Sequence, residues 1–315
     1  MNHEDWYDLR QKTPEKLALA RKVLDEVRAG RSVADALRHH PLPDGGYLGK
    51  QMLVAAYRAL TKSGEWEEDA HFLARIRLKP VRTLSGVTTV TVLTKPYPCP
   101  GKCIFCPTDV RMPKSYLPDE PGARRALENE FDPYRQVIAR LAALEEIGHP
   151  TDKVELLILG GTWSAYRRDY QEWFILRCFD ALNGAESPSL AQAQMMNETS
   201  RHRNVGLVIE TRPDHVDIPE MSWLRALGVT KIQMGAQSLD DHILEINQRG
   251  HTVEDTKRAV ELMRAFGFKI VLHWMPNLLG ATPDTDRIDF TRLWDGLCPD
   301  EIKIYPNQLL QNADL

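Results

Sequence analysis

Cys99-Pro-Gly-Lys-Cys103-Ile-Phe-Cys106 follows closely on a β-branched, apolar segment, Val87–Thr94. That segment has the composition of a buried strand, and the cysteines lie in an irregular stretch, 95–124, that is rich in Pro, Gly and Cys. Reactive groups of parallel (β/α) sheets gather at the carboxyl ends of the strands. The sequence therefore predicts a chemically active loop at the end of a first strand.

Strand-like and helix-like segments alternate from this point onward. Five further short, apolar segments are predicted as strands: Val154–Leu159, Val205–Glu210, Lys231–Gly235, Phe268–Trp274 and Glu301–Tyr305. Helices are predicted near 133–147, 167–182, 219–227, 254–266 and 286–295. Strand–helix repeats in this order imply a parallel sheet, and six strands are too few for a closed eight-strand barrel. We therefore predict an α/β fold, a TIM-like partial (β/α)6 barrel over 81–315, with a second irregular stretch over 184–204.

The first 80 residues are predicted to form a small helical unit. Thr13-Pro14 is a helix cap followed by proline at the first helical position, and Gly30 ends the segment. Apolar residues recur between them at helical spacing, and a further helix is predicted over about 49–62.

The composition excludes several classes of protein. The 315 residues are 43% hydrophobic and 27% charged, which argues against a disordered chain, and no apolar run approaches the roughly 18 residues that span a bilayer. The net charge of −4 disfavours a wholly basic nucleic-acid binder. The first five residues, Met-Asn-His-Glu-Asp, do not begin a signal peptide, so a cytoplasmic protein is expected.

Five cysteines, an odd number, argue against a disulfide framework. Cys178 and Cys298 stand alone and are expected to be small buried hydrophobes. The other three have the spacing C-x3-C-x2-C and can converge on one soft metal centre. An iron–sulfur cubane with three protein thiolates keeps one iron open for a ligand. A structural zinc site or three unrelated thiols are the alternatives, although structural zinc needs four ligands.

The cysteine spacing, with the aromatic Phe105 before the last cysteine, resembles the signature of the radical S-adenosylmethionine (SAM) enzymes. The resemblance implies a [4Fe–4S] cluster on Cys99, Cys103 and Cys106, and a partial (β/α)6 barrel. It also implies that the open iron binds the amino and carboxylate groups of SAM, which is then cleaved reductively to a 5′-deoxyadenosyl radical. Chemistry of this kind belongs to the cofactor, while the protein supplies position and excludes water.

Further motifs over about residues 40–306 resemble the family of the Elongator catalytic subunit, a radical-SAM tRNA carboxymethyluridine synthase. They include Ser115-Tyr-Leu-Pro-Asp-Glu-Pro-Gly122, Ile209-Glu-Thr-Arg-Pro-Asp214 and Asn247-Gln-Arg-Gly-His251. The resemblance implies modification of carbon 5 of the tRNA wobble uridine, with acetyl-CoA as co-substrate and tRNA as partner. A homodimer or Elongator-like partner subunits are also expected.

That family carries a C-terminal acetyltransferase domain, whereas this sequence stops at Leu315 just after the sixth predicted strand. We therefore expect the acetyltransferase domain to be absent, acetyl-CoA not to bind stably, and the reaction to be incomplete with this chain alone. Two alternatives stay open: a non-catalytic tRNA-binding module with zinc-loaded cysteines, and a radical-SAM enzyme acting on a small molecule.

Candidate cofactor ligands follow the predicted strands. Gly160 and Gly161 have no Cβ, so their backbone can approach a ligand closely. Phe105 of the cysteine motif is also predicted to contact SAM. Groups at strand ends have the same prediction, namely Thr162, Glu210, Arg212, Gln237, Ser238, His273 and Met275. Glu210 is expected to hold ribose hydroxyls or the SAM ammonium, and Arg212 the SAM carboxylate. Lys303 and Tyr305 are the candidate catalytic residues. A strand-end turn or an internal ion pair is the alternative reading.

Apart from the family resemblance, local positive charge is the only sequence feature that favours RNA binding. Arg75, Arg77, Lys79 and Arg82 lie in 72–83, a segment without acidic residues, and Lys102 and Lys114 flank the cysteines. These six side chains are predicted to contact tRNA phosphates, with 1–80 as a possible extension of the surface. Solvated surface charge is the alternative.

Overall fold

A computed structural model of the chain describes residues 11–310 and 312–315. Six strands form one sheet in the order of the sequence, and the pairs from the third to the sixth strand are parallel. The strands are β1 (Thr88–Leu93), β2 (Lys153–Leu159), β3 (Arg203–Thr211), β4 (Lys231–Gln237), β5 (Lys269–Trp274) and β6 (Glu301–Ile304). The predicted α/β class and partial (β/α)6 barrel are confirmed.

Helices connect the strands, as a parallel sheet requires. Between β1 and β6 they are α5 (Pro121–Glu128), α6 (Pro133–Glu146), α7 (Arg168–Asn183), α8 (Leu190–Asn197), α9 (Ile218–Ala226), α10 (Asp241–Ile246), α11 (Val253–Ala265) and α12 (Pro283–Arg292). Because helices cover the sheet, most of its central strands are buried along their length, as in β4, where residues 232–236 are all buried.

Two predictions of irregular structure were too broad. The stretch 184–204 contains α8, which begins at the cap Ser189, whose side chain accepts a hydrogen bond from Gln192 N. The stretch 95–124 includes the start of α5, where Pro121 takes the first helical position. Both helices are eight residues long, and apolar periodicity is weak over so few residues.

The chain divides into two compact units. The first contains the described residues up to Thr88 together with Ala139–Lys153, and the second contains Thr89–Ile138 and Val154–Leu315. The single boundary predicted between residues 80 and 81 therefore differs from the observed division. No local pattern marks this division, because the segment 139–153 runs without a break from helix α6 into strand β2.

The first unit contains α1 (Pro14–Arg28), α2 (Val33–His39), α3 (Lys50–Lys62) and α4 (Ala70–Ile76). Thr13 caps α1 by accepting a hydrogen bond from Lys16 N, as its sequence predicts. Apolar side chains of α1, α3 and α4 form a common core that includes Leu24, Leu53 and Phe72.

No helix among the described residues is long and apolar enough to cross a membrane. The prediction about a signal peptide concerns residues 1–5, which lie outside the described residues. Cys178 is buried as predicted, but Cys298 is exposed, so the second prediction was wrong. Cys298 has a left-handed backbone (φ 42°) in the connection after α12, where the chain turns at the surface before β6.

Candidate active site

The carboxyl ends of the strands surround a cavity of about 400 Å³ in the second unit. The cysteine loop forms part of its wall. Fourteen residues predicted for ligand or substrate contact line it: Cys99, Cys103, Phe105, Cys106, Lys114, Gly161, Thr162, Glu210, Arg212, Gln237, His273, Met275, Lys303 and Tyr305. The fold therefore brings together side chains that are far apart in the sequence, since Cys99 and Tyr305 are separated by 206 positions.

Backbone hydrogen bonds hold the cysteine loop in place. Ile104 N donates to Asn247 O (3.3 Å), and Cys106 N donates to Cys103 O (3.2 Å), which closes a tight turn between the last two cysteines. Phe105 is buried in a small apolar cluster with Ile243 of α10. The aromatic side chain thus anchors the turn, while Cys103 and Cys106 remain in the cavity wall.

The three thiols have different surroundings. Cys99 Sγ lies 3.6 Å from Thr162 Oγ1, and Cys106 Sγ lies 3.2 Å from Ser115 Oγ. A hydrogen bond from the Cys106 thiol lowers the pKa of Cys103 to about 4, and the positive charges of Arg249 and Arg212 contribute in the same direction. The same bond raises the pKa of Cys106. Cys103 is therefore the first of this pair to ionise, and a thiolate is the form that binds metal.

Three thiols on the wall of one cavity are the donor set that a cubane would need. In the described part of the chain, no three His, Cys, Asp or Glu side chains are arranged to hold one metal ion. In a cubane each thiolate binds a different iron, so the ligands are spread around a larger object. Two polar atoms that line the cavity, Gln237 Oε1 and Arg249 Nε, are buried and have no hydrogen-bond partner among the described residues. Unsatisfied buried groups of this kind are suited to a bound ligand.

Glu210 at the end of β3 accepts a hydrogen bond from Tyr116 Oη (2.8 Å). Burial raises the pKa of Glu210 to about 7, although the Tyr116 bond and the charge of Lys303 oppose this shift. Burial, followed by the charge of Glu210, raises the pKa of Tyr116. Near neutral pH the carboxyl can therefore carry or release a proton inside the cavity.

The buried carboxyl predicts a pH-dependent stability. The pKa of Glu210 in the fold, about 7, exceeds its ordinary value of 4.5, so its contribution to stability is complete below about pH 4.5 and is lost as the pH rises through 7. The free energy of unfolding of the wild type is expected to fall by about 2–3 kcal/mol across that range. Glu210→Gln, whose amide oxygen can still accept from Tyr116, should abolish this fall. Urea unfolding at pH 4.5 to 8 measures it. Glu261→Gln, at an exposed position of α11, is the control, and identical pH profiles for Glu210→Gln and the wild type would contradict the prediction.

Lys303 and His273 share one acceptor deep in the cavity. Lys303 Nζ donates to Gln233 Oε1 (2.6 Å), and His273 Nε2 lies 3.1 Å from the same oxygen. Burial, then the charges of Lys303 and Arg249, lowers the pKa of His273 to about 3, so the imidazole is neutral and donates through Nε2. Burial also lowers the pKa of Lys303. The Tyr305 ring packs edge-on against His273 with centroids 5.2 Å apart.

Gln237 and Ser238, predicted together as SAM contacts, lie in different places. Gln237 has a positive φ of 69° at a bulge between Gly235 and Gln237, and its side chain lines the cavity. Ser238 does not line the cavity, because its hydroxyl donates to Asp289 Oδ2 (3.0 Å) in the buried interior. The bulge turns consecutive side chains in different directions, which the sequence pattern does not reveal.

Arg212, predicted to hold the SAM carboxylate, has a carboxylate partner within the protein. Its Nε and Nη2 donate to the two carboxylate oxygens of Asp214 (2.9 and 3.0 Å), so the forked face expected to hold the SAM carboxylate is already engaged. The remaining Nη1 faces Cys103 Sγ at 3.7 Å. Gly160 lies behind the rim, against Thr94, whereas Gly161 lines the cavity.

The residues predicted for tRNA contact fall into both units. Arg75, Arg77, Lys79 and Arg82 belong to the first unit, and Lys102 and Lys114 to the second. Arg75 Nη2 donates to Val27 O (3.2 Å), and Arg77 Nη1 to Thr83 Oγ1 (3.1 Å), so both have roles within the fold. Lys79, Arg82 and Lys102 are exposed.

Among the cavity-lining side chains that were not predicted, Tyr116, Gln233 and Arg249 make contacts with predicted site residues. Arg249 and Tyr116 lie inside motifs that resemble the Elongator family, which was the available signal. Gln233 points into the cavity from the middle of β4, where a single polar residue interrupts an apolar segment. In a buried strand that interruption itself indicates a functional or paired side chain.

Sequence comparison agrees with this geometry. The sequence model of the radical SAM superfamily matches residues 97–290, which include the three cysteines and strands β2 to β5. The chain belongs to the radical SAM superfamily.

Within that superfamily, the chain is similar to proteins of the Elongator catalytic type. It is 42% identical over 302 residues to tRNA uridine(34) acetyltransferase of Methanocaldococcus jannaschii, which covers 93% of this chain and 54% of that protein. It is 33% identical over 256 residues to human Elongator complex protein 3, covering 77% and 47%. The family resemblance predicted from the motifs is therefore confirmed. The chain spans about half the length of these curated relatives.

A solved structure of the same type is also similar. The archaeal Methanocaldococcus infernus Elp3 with an N-terminal deletion (1–46) superposes with a TM-score of 0.62 at 39% identity, covering 73% of this chain and 47% of that one.

Proposed function

We propose that this chain is the radical-SAM core of an enzyme that modifies carbon 5 of the wobble uridine in tRNA. The main support is the convergence of Cys99, Cys103 and Cys106 on one cavity, in a chain 42% identical to a tRNA uridine(34) acetyltransferase. The superfamily implies SAM and a [4Fe–4S] cluster as cofactors. Acetyl-CoA as co-substrate belongs to the proposal for the complete reaction.

The residues of the cavity have separate tasks in this proposal. Cys99, Cys103 and Cys106 would hold the cluster, and Gln237 Oε1 offers a buried acceptor to SAM. When bound, the cluster and SAM supply a carbon radical by reductive cleavage. Glu210 and Lys303 would orient the reacting groups and hold protons beside them.

The direct test is anoxic. The chain is reconstituted with iron and sulfide, reduced with dithionite and mixed with SAM, and 5′-deoxyadenosine is measured with and without tRNA. We expect about four irons per chain and product formation. About one zinc per chain with no product would instead support a non-catalytic module. Product formation that tRNA leaves unchanged, without tRNA binding, would favour a small-molecule substrate.

Binding of tRNA phosphates is proposed for the exposed cations of the first unit. Lys79→Gln/Arg82→Gln is expected to weaken tRNA binding about tenfold and to reduce the salt slope by about 2, because each phosphate contact releases roughly one counterion. Gel shifts across a salt series measure both quantities. Lys22→Gln/Lys62→Gln removes two exposed lysines of the same unit and is the matched control. Equal weakening in both double variants would mean that net charge, and not this segment, carries the binding.

A cytoplasmic location, a tRNA-binding role of residues 1–80, and a homodimer or Elongator-like partner subunits stay predictions.

A further inference from the structure

Two buried guanidinium groups face the same sulfur atom. Arg249 Nη1 lies 3.2 Å from Cys103 Sγ, and Arg212 Nη1 lies 3.7 Å from it. The exposed fractions of Arg249, Arg212 and Cys103 are only 6%, 5% and 3%. Burying two cations is costly unless the surroundings compensate them, so this arrangement needs a specific reason.

Other hydrogen bonds fix both guanidinium groups so that Nη1 remains for the sulfur. Asp214 holds Arg212 through two contacts, and Arg212 Nη2 also donates to Arg249 O (2.7 Å). Arg249 Nη2 donates to Gly235 O (2.6 Å). The two arginines are therefore tied to β4, to the end of β3 and to each other.

The backbone around them is shaped for this contact. A Cβ atom at Gly101 would overlap Arg212 Nη1, and one at Gly235 would lie 2.6 Å from Arg249 Nη2. Both glycines lie beside the cavity, one in the cysteine loop and one in β4. A side chain at either position would push a guanidinium group away from the sulfur.

Carboxylates cancel only part of the positive charge of the two arginines. Two guanidinium groups carry two positive charges, and Asp214 supplies the one carboxylate that hydrogen-bonds to either of them in the described residues. One positive charge is therefore left facing Cys103, in a region of low dielectric where charge interactions are strong. Negative charge on the sulfur side would balance it.

We propose that Arg249, assisted by Arg212, raises the reduction potential of the iron–sulfur cluster that Cys103 would ligate. One-electron reduction makes a cluster more negative by one charge, with no bond formed or broken, and the electron comes from a low-potential donor. Hydrogen bonds to cluster sulfurs and nearby cations stabilise that reduced state. Arg249 has the shorter contact and the larger effect. This inference rests on the cluster binding of the proposed function.

The test is an anaerobic redox titration of the reconstituted chain without SAM, followed by the electron paramagnetic resonance signal of the reduced cluster. At a fixed solution potential, Arg249→Gln is expected to lower the ratio of reduced to oxidised cluster about tenfold, equivalent to about 59 mV for one electron. Arg212→Gln is expected to lower it about threefold, and Arg249→Lys to lie between Arg249→Gln and the wild type. Arg258→Gln, which removes an exposed arginine of α11 that does not line the cavity, is the control, since solvent screens its charge.

Iron content separates the possible failures. A wild-type chain that takes up no iron contradicts the proposed function itself. Arg249 variants that hold about four irons but titrate like Arg258→Gln overturn the inference alone. If both Arg249 variants lose the cluster while Arg258→Gln keeps it, Arg249 is needed for cluster assembly and the inference is also overturned.

Discussion

Cys103→Ser is expected to reduce the iron content of the anoxically reconstituted chain from about four per chain to near zero. The hydroxyl of serine is a much poorer ligand for iron than a thiolate, and the Cys103 thiol ionises before that of its neighbour Cys106. SAM cleavage should fall by about a thousandfold or more, because the reaction has no other source of electrons at the site. Iron analysis and chromatography of 5′-deoxyadenosine measure the two effects.

The chain provides its own control for this experiment. Cys298→Ser changes an exposed thiol that does not line the cavity and should keep iron content and activity at wild-type values. A Cys103→Ser chain that retained a full cluster and cleaved SAM would show that the spacing C-x3-C-x2-C does not define the ligand set.

Gly160→Ala is expected to destabilise the fold by about 2–4 kcal/mol. Gly160 has a φ of 143°, which side chains rarely adopt, and an added Cβ would overlap Thr94 Oγ1 and lie 3.0 Å from Thr94 Cβ. Thr94 cannot withdraw easily, since its backbone N donates to Leu159 O (3.0 Å) and its hydroxyl contacts Tyr166 Oη at 2.7 Å. Denaturant unfolding gives the change in free energy.

Gly184→Ala separates the steric effect from backbone strain. Gly184 also has a positive φ, 70°, at the end of α7, but no atom lies within 4 Å of an added Cβ. Gly184→Ala should lower the free energy of unfolding by only about 1 kcal/mol. Equal losses in the two variants would mean that the close approach to Thr94 is unimportant.

Strand order and the place of the cysteine loop could be predicted from the sequence because they depend on local patterns. The β-branched segment ending at Thr94 and the apolar segment ending at Leu159 become β1 and β2 within a residue or two of the predicted bounds. Short helices such as α8 and α10 were missed because six or eight residues contain too few turns to show a periodicity.

The roles of individual site residues were harder to predict, since a side chain's direction depends on partners far away in sequence. Arg212 was expected to bind a ligand, yet Asp214 and Arg249 O occupy most of its donors. Ser238 follows Gln237 directly, but a bulge and the buried Asp289 turn it away from the cavity. Strand position alone indicates neither outcome.

The class of fold, the position of the cysteine loop and the family could be predicted from the sequence, because spacing and periodicity are local properties of the chain. Only the tertiary structure placed Arg249 beside Cys103, 146 positions away, and joined Tyr116 to Glu210. Such pairs form because the ends of separate strands meet at one rim of the sheet. The electrostatic interactions in the cavity depend on distances through space, which the order of residues in the sequence does not give.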